Sequence, residues 1–331
     1  MRRAAALSIL LAAIALPAPA VAEPVETPAP APVAPPAPVA PTATQPQLAL
    51  TFERAGDERT VLRGQRIRVR GATAAFVPNE MITLRFFSSG REVDAMQVML
   101  QPGARGGGAF RVSYRPDHYG PLLVHAAHVA TPALGELLAS GEVDVLPRRV
   151  DRRSRRGAVR ALQRRLARLG YVVSEHGVYD ARTARAVLAF RKVTGMARRF
   201  AASKGVMSAI ARGAGGFKIR RPSHGRHIEA DLSRQVIALI DGGRVQRIYP
   251  ISSGKPSTPT VTGAFRVYLK RFGTNAKGMV HSAYFIRGFA THGYPSVPVV
   301  AASHGCLRVP LRDALSLFRW IRIGTPIDVY R

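Results

Sequence analysis

Between residues 48 and 147, apolar and polar residues alternate with period two in four short runs. These are Arg66-Ile67-Arg68-Val69-Arg70, Ile82-Thr83-Leu84-Arg85-Phe86, Phe110-Arg111-Val112-Ser113-Tyr114 and Glu142-Val143-Asp144-Val145-Leu146. Successive strand side chains point to opposite faces, so each run predicts a strand with one buried face. Gly71, Ser88-Ser89-Gly90, Gly106-Gly107-Gly108 and Pro116-Asp117 separate the runs with turn chemistry. Strands at this spacing with no helix between them predict a small antiparallel, immunoglobulin-like β-sandwich. From residue 158 the period changes. Val159, Leu162, Leu166 and Leu169 recur every three or four residues and predict a helix that Gly170 ends. Asp180 is placed to cap a second helix carrying Ala184, Val187, Leu188 and Phe190, with Gly195 beyond it. Residues 158–212 therefore read as a small α-helical bundle, and the Gly- and Arg-rich stretch 213–225 as a hinge. Strand patterning returns at 228–232 and 235–240, with Asp241-Gly242-Gly243 as a hairpin turn and further strands at 263–268 and 326–330. Leu311, Ala314, Leu315 and Phe318 predict one helix in this mostly-β segment, and Gly324 closes it. The fold class is multidomain: sandwich, helical bundle and a mostly-β C-terminal domain at 226–331.

The N-terminus changes the compartment. Arg2 and Arg3 precede an apolar run at 7–16 that is too short to span a bilayer. Pro17 breaks it, and Ala20-Val21-Ala22 has the small residues of a cleavage site, so residues 1–22 read as a secretory signal peptide. The paired arginines lack the flanking residues of the twin-arginine signal, which favours general secretion. With no cysteine near the cleavage site, lipoprotein processing is excluded. Residues 23–47, dominated by Pro, Ala, Val and Thr, read as an extended polyproline spacer. Residues 148–157 form an arginine-rich linker. The expectation is an exported protein of the cell wall, periplasm or extracellular space, with no stable membrane span after signal cleavage. Of 331 residues, 49 are Lys or Arg and 20 Asp or Glu, a net charge of +29 that draws the surface to polyanions. Export removes nucleic acid as the partner and leaves acidic wall polymers.

The chain has a single cysteine, which rules out an internal disulfide framework and any multi-cysteine zinc module. Cys306 lies in Ser303-His304-Gly305-Cys306-Leu307-Arg308, fourteen positions after His292. A lone thiol can be a small buried hydrophobe. Attack on an amide carbonyl instead needs a thiolate, a base and N–H donors for the oxyanion. His292, Cys306 and the amides near Gly305 can supply these, and Cys306 is then expected to be more acidic than a free thiol, chiefly through His292. A zinc site at His292, His304 and Cys306 is a weaker alternative, because two ligands lie two residues apart with no acid to orient the imidazoles. His118, His125 and His128 lack acids at ligand spacing and read as ordinary histidines. No metal or cofactor is expected.

Two resemblances follow. Leu162-Gln163, Leu169-Gly170-Tyr171, the run Gly177-Val178-Tyr179-Asp180-Ala181-Arg182-Thr183, then Ala186-Val187, Phe190 and Gly195-Met196 resemble the three-helix peptidoglycan-binding domain, with Arg191 where that family usually has glutamine. His292-Gly293 with Ser303-His304-Gly305-Cys306-Leu307-Arg308 resembles the signature of the L,D-transpeptidase catalytic domain. That likeness also takes in Ser252-Ser253-Gly254, Thr258-Pro259-Thr260, Gly263-Ala264-Phe265 and Tyr284-Phe285-Ile286. The second resemblance implies an acyltransferase of peptidoglycan remodelling that acts on stem peptides and glycan. Cys306 would be the nucleophile, His292 the proton acceptor, and the Gly293 carbonyl the group orienting the imidazole. Ser303, His304, Gly305 and Arg308 would line the pocket, Arg308 pairing with a stem carboxylate, and Tyr284 would serve the oxyanion. The reaction implied is a 3→3 crosslink through a thioester. Alternatives are a carboxypeptidase or crosslink hydrolase, attachment of a protein to the wall, or a non-catalytic wall-binding adaptor. On these boundaries, residues 226–331 alone are expected to process soluble stem peptides.

Overall fold

The computed structural model describes residues 48–53, 55–56 and 59–331. The signal-peptide and spacer readings, 1–22 and 23–47, lie outside the described residues. The described residues lie within one compact unit.

The first layer pair is a sandwich of nine strands: β1 (Leu48–Glu53), β2 (Thr60–Leu62), β3 (Ile67–Thr73), β4 (Met81–Ser88), β5 (Arg91–Met99), β6 (Gln101–Pro102), β7 (Gly108–Tyr114), β8 (Gly120–His128) and β9 (Leu137–Leu146). One sheet has the order β1-β3-β7-β6 and the other β2-β9-β8-β4-β5. The alternation places Ile67, Val69, Ile82, Leu84 and Phe86 in the core between the sheets, all fully buried. Phe86 stacks on Tyr114 at 4.0 Å. His128 is buried, and its Nε2 meets Glu80 Oε2 at 2.7 Å while its Nδ1 meets the Gly135 carbonyl at 3.0 Å. That acid is 48 positions away in sequence.

Three helices follow: α1 (Arg156–Arg168), α2 (Ala181–Val193) and α3 (Lys204–Ala211). Asp180 caps α2 by accepting from the Thr183 N–H at 2.8 Å. Gly170 and Gly195 follow their helices with φ of +87° and +71°. Gln163 is fully buried, donating to the Val178 carbonyl and Thr183 Oγ1 and accepting from the Gly177 N–H. Arg191 is also spent inside, on the Ala197 and Ala201 carbonyls and Ser203 Oγ.

The C-terminal part holds nine strands and one helix. β10 (His227–Asp231), β11 (Val236–Asp241), β12 (Arg244–Pro250), β13 (Gly263–Arg266) and β18 (Pro326–Tyr330) make one sheet in the order β12-β11-β10-β18-β13. β14 (Leu269–Thr274), β15 (Val280–Ile286), β16 (Phe289–Tyr294) and β17 (Leu307–Pro310) make the other, in that order. The helix, α4 (Leu311–Trp320), starts directly after β17. Its buried residues are Asp313, Ala314, Leu317 and Trp320, whereas Leu311 is exposed. The predicted stripe was therefore rotated: Asp313 turns inward because it pairs with Arg182 of α2 at 3.0 Å.

The helical segment and the C-terminal sheets are joined through two stretches of chain. In β11 every residue from Val236 to Ile240 is fully buried. Val236, Ala238 and Ile240 join the hydrophobic cluster of the three helices, while Ile237 and Leu239 face the core of the C-terminal sheets. Alternate residues of one strand thus serve two cores, one within residues 226–331 and one shared with the helices. The segment after α1 also pairs with the edge of β12: the Ile248 N–H donates to the Gly170 carbonyl at 2.8 Å and the Val172 N–H to the Ile248 carbonyl at 3.2 Å. The stretch 213–225 is hydrogen-bonded to both of its neighbours. Tyr171 Oη donates to the Gly215 carbonyl, and the Arg220 and Arg221 N–H groups donate to the buried Glu229 carboxylate. Among the described residues, no helix is long and apolar enough to cross a membrane.

Candidate active site

β16 and β17 are parallel neighbours, registered Thr291 to Leu307, His292 to Arg308 and Gly293 to Val309. Parallel strands need a crossover of about a dozen residues, which accounts for the gap between His292 and Cys306. Paired residues share a face, and period two adds the residues two positions away. One face of this sheet therefore carries His292, Tyr294 and Arg308, with Cys306 one residue ahead of β17.

The imidazole is nearly buried, and its Nδ1 lies 2.9 Å from the Gly293 carbonyl. A carbonyl oxygen only accepts, so Nδ1 carries the proton and Nε2 presents its lone pair. Burial lowers the His292 pKa, with Arg308 repulsion adding to it and the Gly293 bond opposing. Gly293 must lack a side chain, because a Cβ would sit 2.4 Å from Ala314 Cβ of α4.

The thiol of Cys306 is half-buried and in no disulfide, and it donates to the Gly288 carbonyl at 3.6 Å. Burial pushes its pKa up, while a backbone hydrogen bond from Ala290 and the charges of Arg308 and Lys277 pull it down. The thiol is thus not acidified as expected. His292 is not among the groups that move the thiol.

The turn before the thiol is bound on both sides. Ser303 is buried; its Oγ donates to the Cys306 carbonyl at 2.6 Å and accepts from the Gly305 N–H at 3.0 Å. The Ser303 hydroxyl is therefore occupied within the turn, and the Gly305 amide is occupied with it. Gly305 has φ +118°, and a Cβ there would meet Phe289 Cε1 at 2.5 Å. The segment 252–260 clasps the turn from outside. Ser252 and Arg308 exchange backbone hydrogen bonds at 3.1 Å, the Ser303 N–H donates to the Ser253 carbonyl, and Thr260 Oγ1 donates to the Gly305 carbonyl at 2.6 Å. Gln235 in turn holds Ser253, accepting from its N–H and donating to its Oγ. His304 is exposed, and its ring makes no hydrogen bond among the described residues.

Arg308 lies 4.1 Å above the Tyr294 ring and has no carboxylate partner among the described residues. Tyr284 is registered opposite Ala290, which puts it beside His292 on the same face. Its hydroxyl accepts from Asn275 Nδ2 at 3.3 Å, which leaves its own proton to donate. Tyr294, absent from the sequence-based set, was legible as the residue two beyond His292 on one strand face. Asn275 and Lys277 carried no signal, because only folding of the β14–β15 loop brings Asn275 to the Tyr284 hydroxyl and the Lys277 charge within reach of the thiol. Among the described residues, no group of three or more His, Cys, Asp or Glu side chains converges as a metal site would require.

The site thus holds a carbonyl-bound imidazole on β16 and a free thiol one residue before the parallel strand β17. Family models place it further. Residues 225–329 match the L,D-transpeptidase catalytic domain (YkuD), and residues 155–197 match a domain described as peptidoglycan binding. A crystal structure of the L,D-transpeptidase of Xylanimonas cellulosilytica is 33% identical with a TM-score of 0.50, covering 55% of this chain and 97% of that one. A Bacillus subtilis protein described as the L,D-transpeptidase YkuD is 28% identical over 111 residues, 32% of this chain. The chain spans 66% of that relative's length. The chain belongs to the L,D-transpeptidase family, its catalytic domain preceded by a peptidoglycan-binding domain.

Proposed function

We propose that this protein forms 3→3 peptidoglycan crosslinks through a thioester on Cys306. In the resting site His292 Nε2 is the acceptor for the thiol proton as Sγ attacks the carbonyl carbon of the third, diamino-acid residue of a tetrapeptide stem. The tetrahedral intermediate collapses with cleavage of the C–N bond to the terminal D-alanine, whose amine takes the proton from the imidazolium. The side-chain amine of a second stem then attacks the thioester. Its proton passes through His292 to the departing sulfur, and the free thiol is regenerated. The Gly305 amide is already given to Ser303, so the Tyr284 hydroxyl is the donor best placed for the oxyanion. Arg308, held over Tyr294 without a carboxylate of its own, receives a stem carboxylate. Acidic wall polymers are the further partners that the charge of +29 favours, and action on the wall implies export.

The observation that supports this reading is the 2.9 Å contact of His292 Nδ1 with the Gly293 carbonyl, which leaves Nε2 as the basic nitrogen of a buried imidazole. The test is incubation of the protein with defined muropeptides and mass spectrometry of the products. Wild type yields 3→3 dimers and released D-alanine, and Cys306→Ala yields neither while keeping its far-UV spectrum. Dimers from Cys306→Ala above a heat-killed control would remove the nucleophile.

A further inference from the structure

Residues 295–300 (Pro-Ser-Val-Pro-Val-Val) leave β16 just after the imidazole and lead to the turn that carries the thiol. Pro295 and Pro298 have no N–H, so this strap cannot be held by an ordinary strand ladder. Its carbonyls are held instead. Arg185 Nη1 of α2 donates to the Val297 carbonyl at 2.7 Å. Arg198, just beyond α2, donates through Nη1 to the Val299 carbonyl at 3.1 Å and through Nη2 to the Ser233 carbonyl at 2.9 Å. From the other side Ser252 Oγ donates to the Val300 carbonyl at 2.7 Å. The carbonyls of 297 and 299 lie two residues apart, as alternation in an extended chain requires, and both are met from the helical domain.

The same face of α2 holds the second support of the turn. Lys192 is nearly buried, and its Nζ donates to the Gln235 carbonyl at 3.1 Å and the Ile251 carbonyl at 2.8 Å. These two residues flank the Ser252–Ser253 clasp. Arg182, Arg185 and Lys192 lie at i, i+3 and i+10 on α2, so one helical stripe reaches Asp313, the strap and the clasp.

We infer that Arg185 and Arg198 of the peptidoglycan-binding-type domain are positioning residues for the thiol, acting through the prolyl strap 295–300. They touch no reacting atom. Their charge-assisted bonds fix the backbone that sets where Sγ stands relative to His292, and small misplacement of reacting groups can slow a reaction roughly a hundredfold. This inference deepens the proposed reaction by naming the part of the helical domain that the site depends on.

The experiment uses the full chain and four variants, R185M, R185K, R198M and R198K. It follows the rate of Cys306 labelling by a small thiol probe, and kcat and KM on a soluble tetrapeptide. The expected result is a labelling rate and kcat roughly ten- to a hundredfold lower in both methionine variants, with KM near wild type. R185K restores the rate, because one ammonium replaces one bond to Val297. R198K does not, because a single ammonium does not span the Val299 and Ser233 carbonyls that the guanidinium fork bridges. Wild-type labelling in R185M and R198M would overturn the inference. Where a methionine variant loses its far-UV spectrum, the lysine pair decides, and equal rates for R185K and R198K would overturn it as well. Labelling reports the thiol whatever its acyl donor, so a wild type that labels normally but makes no muropeptide dimers overturns the proposed reaction and not the positioning.

Discussion

At the scale of single residues, the site rests on conformations and protonation states that only certain side chains allow. Gly305 holds φ +118° with Phe289 packed where a Cβ would go. Gly305→Ala therefore meets both backbone strain, about 1–3 kcal/mol, and a clash with a packed ring. Its thiol labelling should fall at least tenfold while the far-UV spectrum stays native, and an unchanged rate would contradict the strained-turn account. His292 has a lowered pKa and Cys306 a raised one. The acylation rate should then fall with pH only as pH drops through a value below about 6.5, the usual histidine pKa, where the imidazole takes its own proton. In His292→Gln that acid limb should vanish, and labelling should follow the thiol's own ionisation into alkaline solution. An acid limb that survives the substitution would take the base away from His292. The chemistry-bearing types were legible in the motif itself. Their protonation was not, because desolvation depends on neighbours such as Ala314 and Phe289 that share no motif with them.

At the scale of elements, alternation read the strands well and the faces of the helices less well. Val236 to Ile240 read as an unbroken apolar run because the strand is covered on both sides. Leu311 was assigned inward on α4 because a buried Asp313 paired with Arg182 has no periodic signature. Helix α2 supplies a case where burial opposes charge. The Lys192 pKa is lowered from 10.5 to about 7, first by desolvation and then by repulsion from Arg198 and Arg185. Between about pH 7 and 10 the unfolded chain holds one more proton here than the folded chain, so stability rises with pH across that window by up to about 1.4 kcal/mol per unit. Below about pH 7 the amine is charged in both states, and the full penalty of burying it applies. Lys192→Met should abolish that rise. Urea unfolding of both proteins at pH 6.5, 8 and 9.5 should show the wild type gaining on the variant as pH increases. Parallel pH dependences would mean that the ammonium is not desolvated as the structure shows.

At the scale of the whole molecule, the three sequence-defined domains share surfaces. The sandwich is tied to the helices by Arg165, which donates to Asp144 at 2.8 Å. The helices share a core with β11 and β12. Residues 226–331 alone would expose Val236, Ala238, Ile240 and Ile248 and lose the strap's arginine supports. That fragment should aggregate or label slowly, whereas residues 148–331 should label at close to the full-length rate. Equal solubility and labelling of the two fragments would show that the shared core is dispensable. The covered faces were not legible in the sequence because β11 is apolar on both sides without stating what packs on either.

The ladder between β16 and β17 has a consequence for how the two reacting groups are built. Neighbouring strands stand about 4.8 Å apart whatever their side chains, so the imidazole rides on a frame whose spacing backbone hydrogen bonding alone dictates. Cys306 stands one residue outside that frame, before Leu307 enters register. The histidine is thus a fixed post and the thiol a cantilever, rooted in Ser303, Gly305 and the residues that clasp them. Sequence drift in the sheet can leave the post where it stands, but drift at the root swings the free end. In this chain the turn sets the reach of the sulfur and the ladder sets the seat of the base.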